Sequence, residues 1–459
     1  MSLVPRLPAS SGLPALLLLL LAASAAHTAA AWKTAIAADG SSSSSSSNRQ
    51  LRGFWTGKGS SSSSSSSSSN ARHVLSLSAQ QRLESRTWGN AALRSKYNWP
   101  SSPYFDDPWA LDNIAVTYGH RVKDGIGSQV VRMIAVYALA NITGMGHLFR
   151  ALGCVGHIGG HMHYRSSSCD FSGDSDDARL LSRARQMIDL PSTIAESTVE
   201  GWEQQLVRAE SFKWEKFLGE LGDAVQQQQP TLFLAEHVNS LTTTYPDLFY
   251  ALPQLRPSEP LPPLTCRSSS SSGSGSSSSA GVHSKPWMLD ALRFAIHIRR
   301  GDVVTDGWSE RILSTQYYIN LARAVTEVLE AAGCQYTVEV HTETPRTPEM
   351  VEELHTLKRG IPNAVMLPGK DLLWTWQMMA TADILVMSNS MFSVSAALLN
   401  PDAISIHVPP RQAVVRQGMF KLRHWIAPED ENGTMADAAM DVIRQRVGLR
   451  PQATRRRIE

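Results

Sequence analysis

From about residue 86 onward, apolar residues fall into short continuous runs separated by polar and glycine-containing turns. The run Ile114–Tyr118 reads as a buried strand. It passes through a polar stretch at 120–124 into Gly125-Ile126-Gly127-Ser128-Gln129, and residues 130–140 then form an almost uniformly apolar helix. A strand, a glycine turn and a buried helix make the opening unit of a βαβ domain. Helical periodicity follows at 177–188 and 192–221, and Thr231–Ala235 reads as a further strand. A second series starts with the strand Leu292–Ile298 and a helix at 315–332 stopped by Gly333. It continues with strands at 336–341, 384–387 and 404–408 and helices at 372–382 and 391–399. Alternation of this kind predicts an α/β protein with a doubly wound second half, whose ligands sit at the carboxyl ends of the strands.

Punctuation divides the chain. Near-pure serine at 41–47, 60–69 and 268–279 cannot bury enough apolar surface to offset chain entropy. Four prolines at 257, 260, 262 and 263 precede the last tract and mark the main boundary. The expected organisation is a leader at 1–31, a Ser-rich stem at 32–85, and an amino-terminal α/β domain at 86–256. A Pro/Ser-rich disordered linker at 257–285 leads to a second α/β domain at 286–430, and a helix with a basic tail at 431–459 ends the chain. The leader carries Arg6, an apolar stretch at 13–26 and small residues beyond it. It reads either as a cleaved secretory signal or as an uncleaved anchor, and both deliver the rest to the secretory lumen. No other stretch is expected to span a bilayer.

The net charge of +2 over 459 residues excludes a protein that grips nucleic acid through a broad basic face. Four cysteines exclude a disulfide scaffold and allow three connectivities. Cys154 with Cys169 is the local pair expected, and Cys334 reads as a plain buried thiol. Two glycosylation sequons occur, at Asn141 and Asn432. Asn141 falls inside an apolar helix pattern, which leaves Asn432 as the one expected to be used.

The candidate chemistry concentrates at two strand ends. Ile296-His297-Ile298-Arg299-Arg300-Gly301-Asp302 closes a hydrophobic strand with two guanidinium groups, whose planar forks match phosphate oxygens in pairs. They can clamp a diphosphate, with Asp302 holding one guanidinium or accepting a proton and His297 orienting the loop. The plainer alternative is an ion pair of Arg299 or Arg300 with Asp302. Ser388, Asn389, Ser390 and Ser393 lie where a second strand ends and a helix begins. There, unpaired backbone N–H groups and the helix dipole favour an anion, although Ser390 also suits a simple N-cap. The turn Gly125, Gly127, Gln129 lets backbone approach a ligand, or is only a tight turn. Asp174-Ser175-Asp176 and the histidines at 157, 161 and 163 are weak metal signals, so no metal site is expected. No Gly-x-Ser-x-Gly elbow occurs outside the serine tracts.

Taken together, these motifs resemble a known family. His297-Ile298-Arg299-Arg300-Gly301-Asp302 is similar to the His-x-Arg-Arg-x-Asp signature of the fucosyltransferase superfamily, which contains the α1,2-, α1,6- and protein O-fucosyltransferases. The α1,2 type is the nearest match. Its signature is followed by a Tyr-Tyr helix start, as at Tyr317 and Tyr318 here. Ser388–Ser393 resembles the family's Asn-Ser-Ser-Phe-Ser block, and Gly125–Gln129 its Gly-x-Gly-x-Gln turn. The resemblance implies a GT-B-like, two-domain, metal-independent, inverting transferase. Its donor is GDP-fucose, its acceptor a glycan or protein hydroxyl, and it needs no further cofactor. It implies that Arg300 neutralises the leaving β-phosphate with Arg299 assisting, that Ser390 and Ser393 hold diphosphate or ribose, and that Glu343 lies near the base. It also implies a place in the Golgi or ER lumen, as a type II membrane protein or secreted. Val394-Ser395 stands where the α1,2 enzymes have Trp-Trp, Met391 where they have serine, and Thr342-Glu343 where the family usually has paired acids. Those departures keep open a catalytically inactive carbohydrate-binding protein on the same fold.

Overall fold

The structure is a computed structural model. It describes residues 95–97, 99, 102–119, 124–152, 176–188, 190–207, 214–235, 238–266, 291–300, 303, 311–409 and 420–451. The leader, the stem, Cys154, Cys169, the histidines at 157, 161 and 163, Asp174, Ser175 and the basic tail lie outside them.

Two wholly parallel sheets organise the described chain. The amino-terminal half contains α1 (Pro108–Asn113), β1 (Ile114–Tyr118), α2 (Ile126–Thr143), β2 (Gly146–Leu148), α3 (Asp176–Met187), β3 (Glu203–Val207), α4 (Trp214–Gln227), β4 (Thr231–Ala235) and α5 (Asn239–Thr244). Its strand order is β2-β1-β4-β3. The carboxyl half contains β5 (Leu292–Ile298), α6 (Thr315–Ala331), β6 (Tyr336–Thr342), α7 (Pro348–Gly360), β7 (Ala364–Pro368), α8 (Leu372–Ala380), β8 (Ile384–Val386), α9 (Met391–Leu398), β9 (Ile404–Ile406) and α10 (Asp437–Arg446). Its order is β7-β6-β5-β8-β9. The α/β, GT-B-like expectation of two Rossmann-like units holds.

Every residue of β1 is buried, as are Leu292, Phe294, Ala295, Ile296 and Ile298 of β5. Strands covered on both faces read as continuous apolar runs, which is why both were visible in the sequence. By length and composition α2 is apolar enough to cross a membrane, contrary to the expectation that only the leader is. It is instead a core helix, closed by Gly144 in the left-handed conformation, and its apolar girdle packs against β1, the turn at Pro246–Ala251 and α9. Each fully buried Val, Leu or Ile there contributes about 1.5–3 kcal/mol.

Three readings are corrected. The stretch 192–221 is not one helix: a short helical turn and Gly201, at φ +83°, precede the edge strand β3, and helix begins only at Trp214. A left-handed glycine breaks the helix, and exposed Glu203 and Gln204 suit a sheet edge. The segment α7–β7 was not foreseen at all. Cys334 is not a thiol: it is bonded to Cys266 across a sequence separation of 68.

That disulfide ends an ordered strap. The expected linker is described as far as Cys266, and those residues are tied to the carboxyl half. The Ser258 N–H and hydroxyl reach the Asp402 carboxylate at 2.8 and 3.1 Å, and the Leu264 N–H donates to the Arg446 carbonyl at 2.7 Å. Closing a loop of this size stabilises the fold by about 4 kcal/mol on the chain-entropy account. Cys334→Ser should therefore lower the melting temperature of the non-reduced protein by several degrees, and dithiothreitol should reproduce the loss in the wild type. Equal melting of the two proteins contradicts the bond.

Candidate functional site

In the carboxyl sheet the chain starts at the central strand β5, builds outward through β6 and β7, then returns to the other side for β8 and β9. The order reverses between β5 and β8, and the carboxyl ends at such a point diverge into a crevice. Residues 297–300 lie at one edge of it and 387–390 at the other.

A buried hydrogen bond joins the edges. His297 Nδ1 meets the Ser388 hydroxyl at 2.7 Å, with the imidazole ring beside Phe392. Burial, assisted by the charges of His341 and Arg299, pushes His297 down to about 3, so it is neutral at physiological pH. His297 fastens the crevice and carries no charge into it. Ser393 donates to the Ser390 and Ser388 carbonyls at 3.1 and 3.4 Å, stitching the first turn of α9. Ser388, Asn389, Ser390 and Ser393 are all buried. Ser390 is the N-cap of α9: its Oγ accepts the Phe392 N–H at 3.3 Å, and Arg299 Nη1 donates to the same oxygen at 3.1 Å. The first arginine thus lies against the capped, positive end of a helix.

Arg300 turns the other way. It is 5% exposed, and its Nε lies 3.0 and 2.8 Å from the two Glu353 carboxylate oxygens. Its Nη2 donates to Glu353 Oε1 at 2.6 Å and to the Leu313 carbonyl at 2.8 Å, and its Nη1 to the Arg299 carbonyl at 3.0 Å. Burial alone would lower the Arg300 pKa, but the bond to Glu353 outweighs it and the net shift is upward. Burial likewise opposes ionisation of Glu353, and Arg300 outweighs that too, leaving the carboxyl below its usual range. Glu343 Oε2 accepts the Arg300 backbone N–H at 2.9 Å. A buried ion pair was the plainer expectation for this loop, and the partner is Glu353. Asp302 lies outside the described residues, as do Asp306 and Glu310, the other carboxylates of this loop that are candidates for a general base.

The glycine turn reaches the same place from the amino-terminal half. Asp124 organises it: its carboxylate accepts the Gly125 N–H at 2.7 Å and Arg132 Nη2 at 2.8 Å, and its carbonyl accepts Gln129 Nε2 at 2.7 Å. Gly125 is the N-cap of α2 and offers no side-chain cap. A Cβ at Gly127 would stand 2.4 Å from the Phe392 Cα and 2.6 Å from the Met391 carbonyl. The absent side chain is what lets the first turns of α2 and α9 touch. Gly127 brings backbone to backbone across the two halves, while Gln129 braces the turn.

Three solved structures resemble this fold. E. coli heptosyltransferase WaaC with ADP matches 72% of this chain and 99% of its own, at 11% identity and a TM-score of 0.34. WaaC with ADP-2-deoxy-2-fluoro heptose matches 34% of this chain and 42% of its own, at 15% identity and 0.23. POFUT1 in complex with GDP matches 63% of this chain and 94% of its own, at 10% identity and 0.30. These likenesses are loose and concern only the arrangement of strands and helices. No family model matches the sequence, and no curated protein does.

Of the residues singled out from sequence, His297, Arg299, Ser388, Asn389, Ser390, Ser393 and Gly127 gather around the start of α9. Gly125 and Gln129 flank them, and Arg300 and Glu343 lie on the opposite side of the β5 end. Glu353 was missed. Its signal was Thr347-Pro348 followed by Met350, Leu354 and Leu357, a capped helix with one apolar stripe. Thr347 does cap α7, and Leu354 and Leu357 are buried. Ser395, which departs from the family pattern, accepts the indole N–H of the buried Trp376 at 2.9 Å.

Two outcomes are expected. Gly127→Ala should cost about 1–3 kcal/mol, because only backbone is available to yield. Thermal unfolding reads the loss, and an unchanged midpoint would mean that α9 is not seated on α2. Burial also lowers His147 and His407 to about 4, as it lowers His297 to about 3. All three are neutral in the fold and protonate in the unfolded chain near 6.5, so acid favours unfolding. Their stabilising contribution is complete above 6.5 and is lost toward 4, at about 1.4 kcal/mol per pH unit for each group. The melting temperature should fall from pH 7 to pH 5, and a level profile contradicts the burial of these rings.

Proposed function

We propose that this chain is a glycosyltransferase that takes a nucleoside-diphosphate sugar, with GDP-fucose as donor and a glycan or protein hydroxyl as acceptor. The observation that carries the reading is Arg299 against Ser390 at the start of α9, at the point where the strand order of the carboxyl sheet reverses. A leaving nucleoside diphosphate gains negative charge as the glycosidic bond breaks. A guanidinium fork and a helix N-terminus, both fixed before the donor arrives, stabilise that charge more in the transition state than in the ground state. Arg299 takes the role of neutralising the β-phosphate, and Arg300 is withdrawn from it by its engagement with Glu353. The donor choice and the inverting outcome rest on the motif resemblance. So does the role of Asp302 as a carboxylate on the acceptor side.

A secretory-lumen location is part of the proposal, with the chain as a type II membrane protein or secreted. The apolar leader and the Cys266–Cys334 bond support it, since disulfides persist in oxidising compartments. Asn432 is exposed, in a turn capped by Asp430, whereas Asn141 is half-buried and donates to the Tyr137 carbonyl at 3.3 Å.

The test incubates the full chain with GDP-fucose, other GDP-sugars and UDP-sugars in the presence of a chelator, and records released nucleoside diphosphate. GDP release from GDP-fucose is expected, and Arg299→Ala should reduce it roughly 100- to 1000-fold. Release from another donor keeps the transferase and removes fucose. If nothing is released and GDP fails to raise the melting temperature, the carbohydrate-binding alternative takes its place.

A further inference from the structure

We propose that Arg300 and Glu353 form a positioning pair that aims Arg299 at the donor, and that Arg300 itself does not touch the donor. The inference rests on the glycosyltransferase reading and divides the labour between the two motif arginines.

Successive side chains on an extended backbone point to opposite faces. With Arg299 turned to Ser390 of α9, Arg300 faces α6 and α7, where its guanidinium lies 5.8 Å from the Tyr318 ring centre. Glu353 on α7 is built to keep it there. One carboxylate oxygen receives Arg300 Nη2 at 2.6 Å and the Thr315 hydroxyl at 2.5 Å, and both oxygens receive Nε. The Glu353 side chain is 18% exposed and that of Arg300 6%. Swinging Arg300 out to a diphosphate would leave that carboxylate unpaired in a largely dry place, a strongly unfavourable change that a donor contact would have to offset.

The pair also immobilises backbone. Arg300 Nη1 holds the Arg299 carbonyl at 3.0 Å, and the Arg300 N–H is held by Glu343 at 2.9 Å. The peptide linking the two arginines is thereby held from both ends, and the direction of the Arg299 side chain follows from it. Such a role is electrostatic only locally. An apolar pair of similar size can fill the volume, because replacing both partners of a buried ion pair is tolerated far better than removing one, but it supplies no donor for the Arg299 carbonyl.

The test compares Glu353→Ala, Glu353→Gln and the double variant Arg300→Met/Glu353→Leu in the full chain. It measures donor KM and kcat, GDP affinity by calorimetry, and folding by melting temperature. In folded Glu353→Ala, donor KM and the GDP dissociation constant should rise about ten-fold or more. Glu353→Gln, which keeps the acceptor oxygen, should recover most of that. The double variant should fold and show KM, kcat and GDP affinity within about three-fold of Glu353→Ala, since an aim lost with Glu353 is not lost a second time with Arg300. A role in stability alone would move the melting temperature and leave the KM of the folded protein unchanged, which would overturn the proposal. So would a folded double variant with kcat about 100-fold below that of Glu353→Ala, because Arg300 would then be stabilising the reacting diphosphate. A wild type that binds GDP and transfers nothing defeats the transferase reading, yet the calorimetric comparison still decides this one. A wild type that binds no GDP defeats both.

Discussion

Two adjacent guanidinium groups at the carboxyl end of a buried strand pose an electrostatic problem that the rest of the carboxyl half is arranged to solve. Arg cannot shed its proton, so each charge must be matched by a partner or left close to solvent. Glu353 meets one of them, with Thr315 and the Leu313 carbonyl completing the shell. This fixes where α6 and α7 stand relative to β5. The other guanidinium is half-buried and directed to the opposite face, toward the capped end of α9. Separating the two charges by face lets a single dipeptide serve structure on one side and a crevice on the other.

The crevice depends equally on how the two halves meet. The first turns of α2 and α9 touch through Gly127. On another side Arg183 of α3 makes two bonds of 2.9 Å to Asp371, the N-cap of α8. A third contact is aromatic: Phe249 and Tyr250 pack on Phe420 and His424, and the Tyr250 hydroxyl lies 2.7 Å from His424 Nδ1. The exposed pair at Arg183 contributes little energy by itself. The buried glycine contact and the aromatic cluster set the spacing, and the strap ending at Cys266 holds the carboxyl half together behind it.

Much of this was legible because burial on both faces writes itself plainly. The strand β8 is an uninterrupted apolar run, β1 is broken only by Thr117 and β5 only by Arg293 and His297, and the residues that follow them are chemically unlike what precedes. Edges were less legible. Glu203, Gln204 and Gln205 look no more like a strand than like one turn of a polar helix, and only pairing with β4 decides. Which arginine meets the crevice was not legible either. That choice depends on Glu353, more than fifty residues away on a helix whose apolar stripe is thin and whose surface is charged. Cys334 failed for a similar reason, since its partner sits at the rim of a serine-rich tract that offered no sign of order.

The neutrality of His297 narrows what pH can do at this site. A histidine beside a proposed diphosphate site is the usual suspect for titration near neutrality. This one sits with its Nδ1 on Ser388 and titrates near 3, far below the range in which an enzyme is ordinarily assayed. The helix N-terminus is a fixed dipole. On the glycosyltransferase reading, His297 therefore adds no change of charge beside the leaving group from pH 5 to 8. On that reading a bend in the turnover profile of the folded protein across that interval points to the acceptor side, to the group that removes the hydroxyl proton.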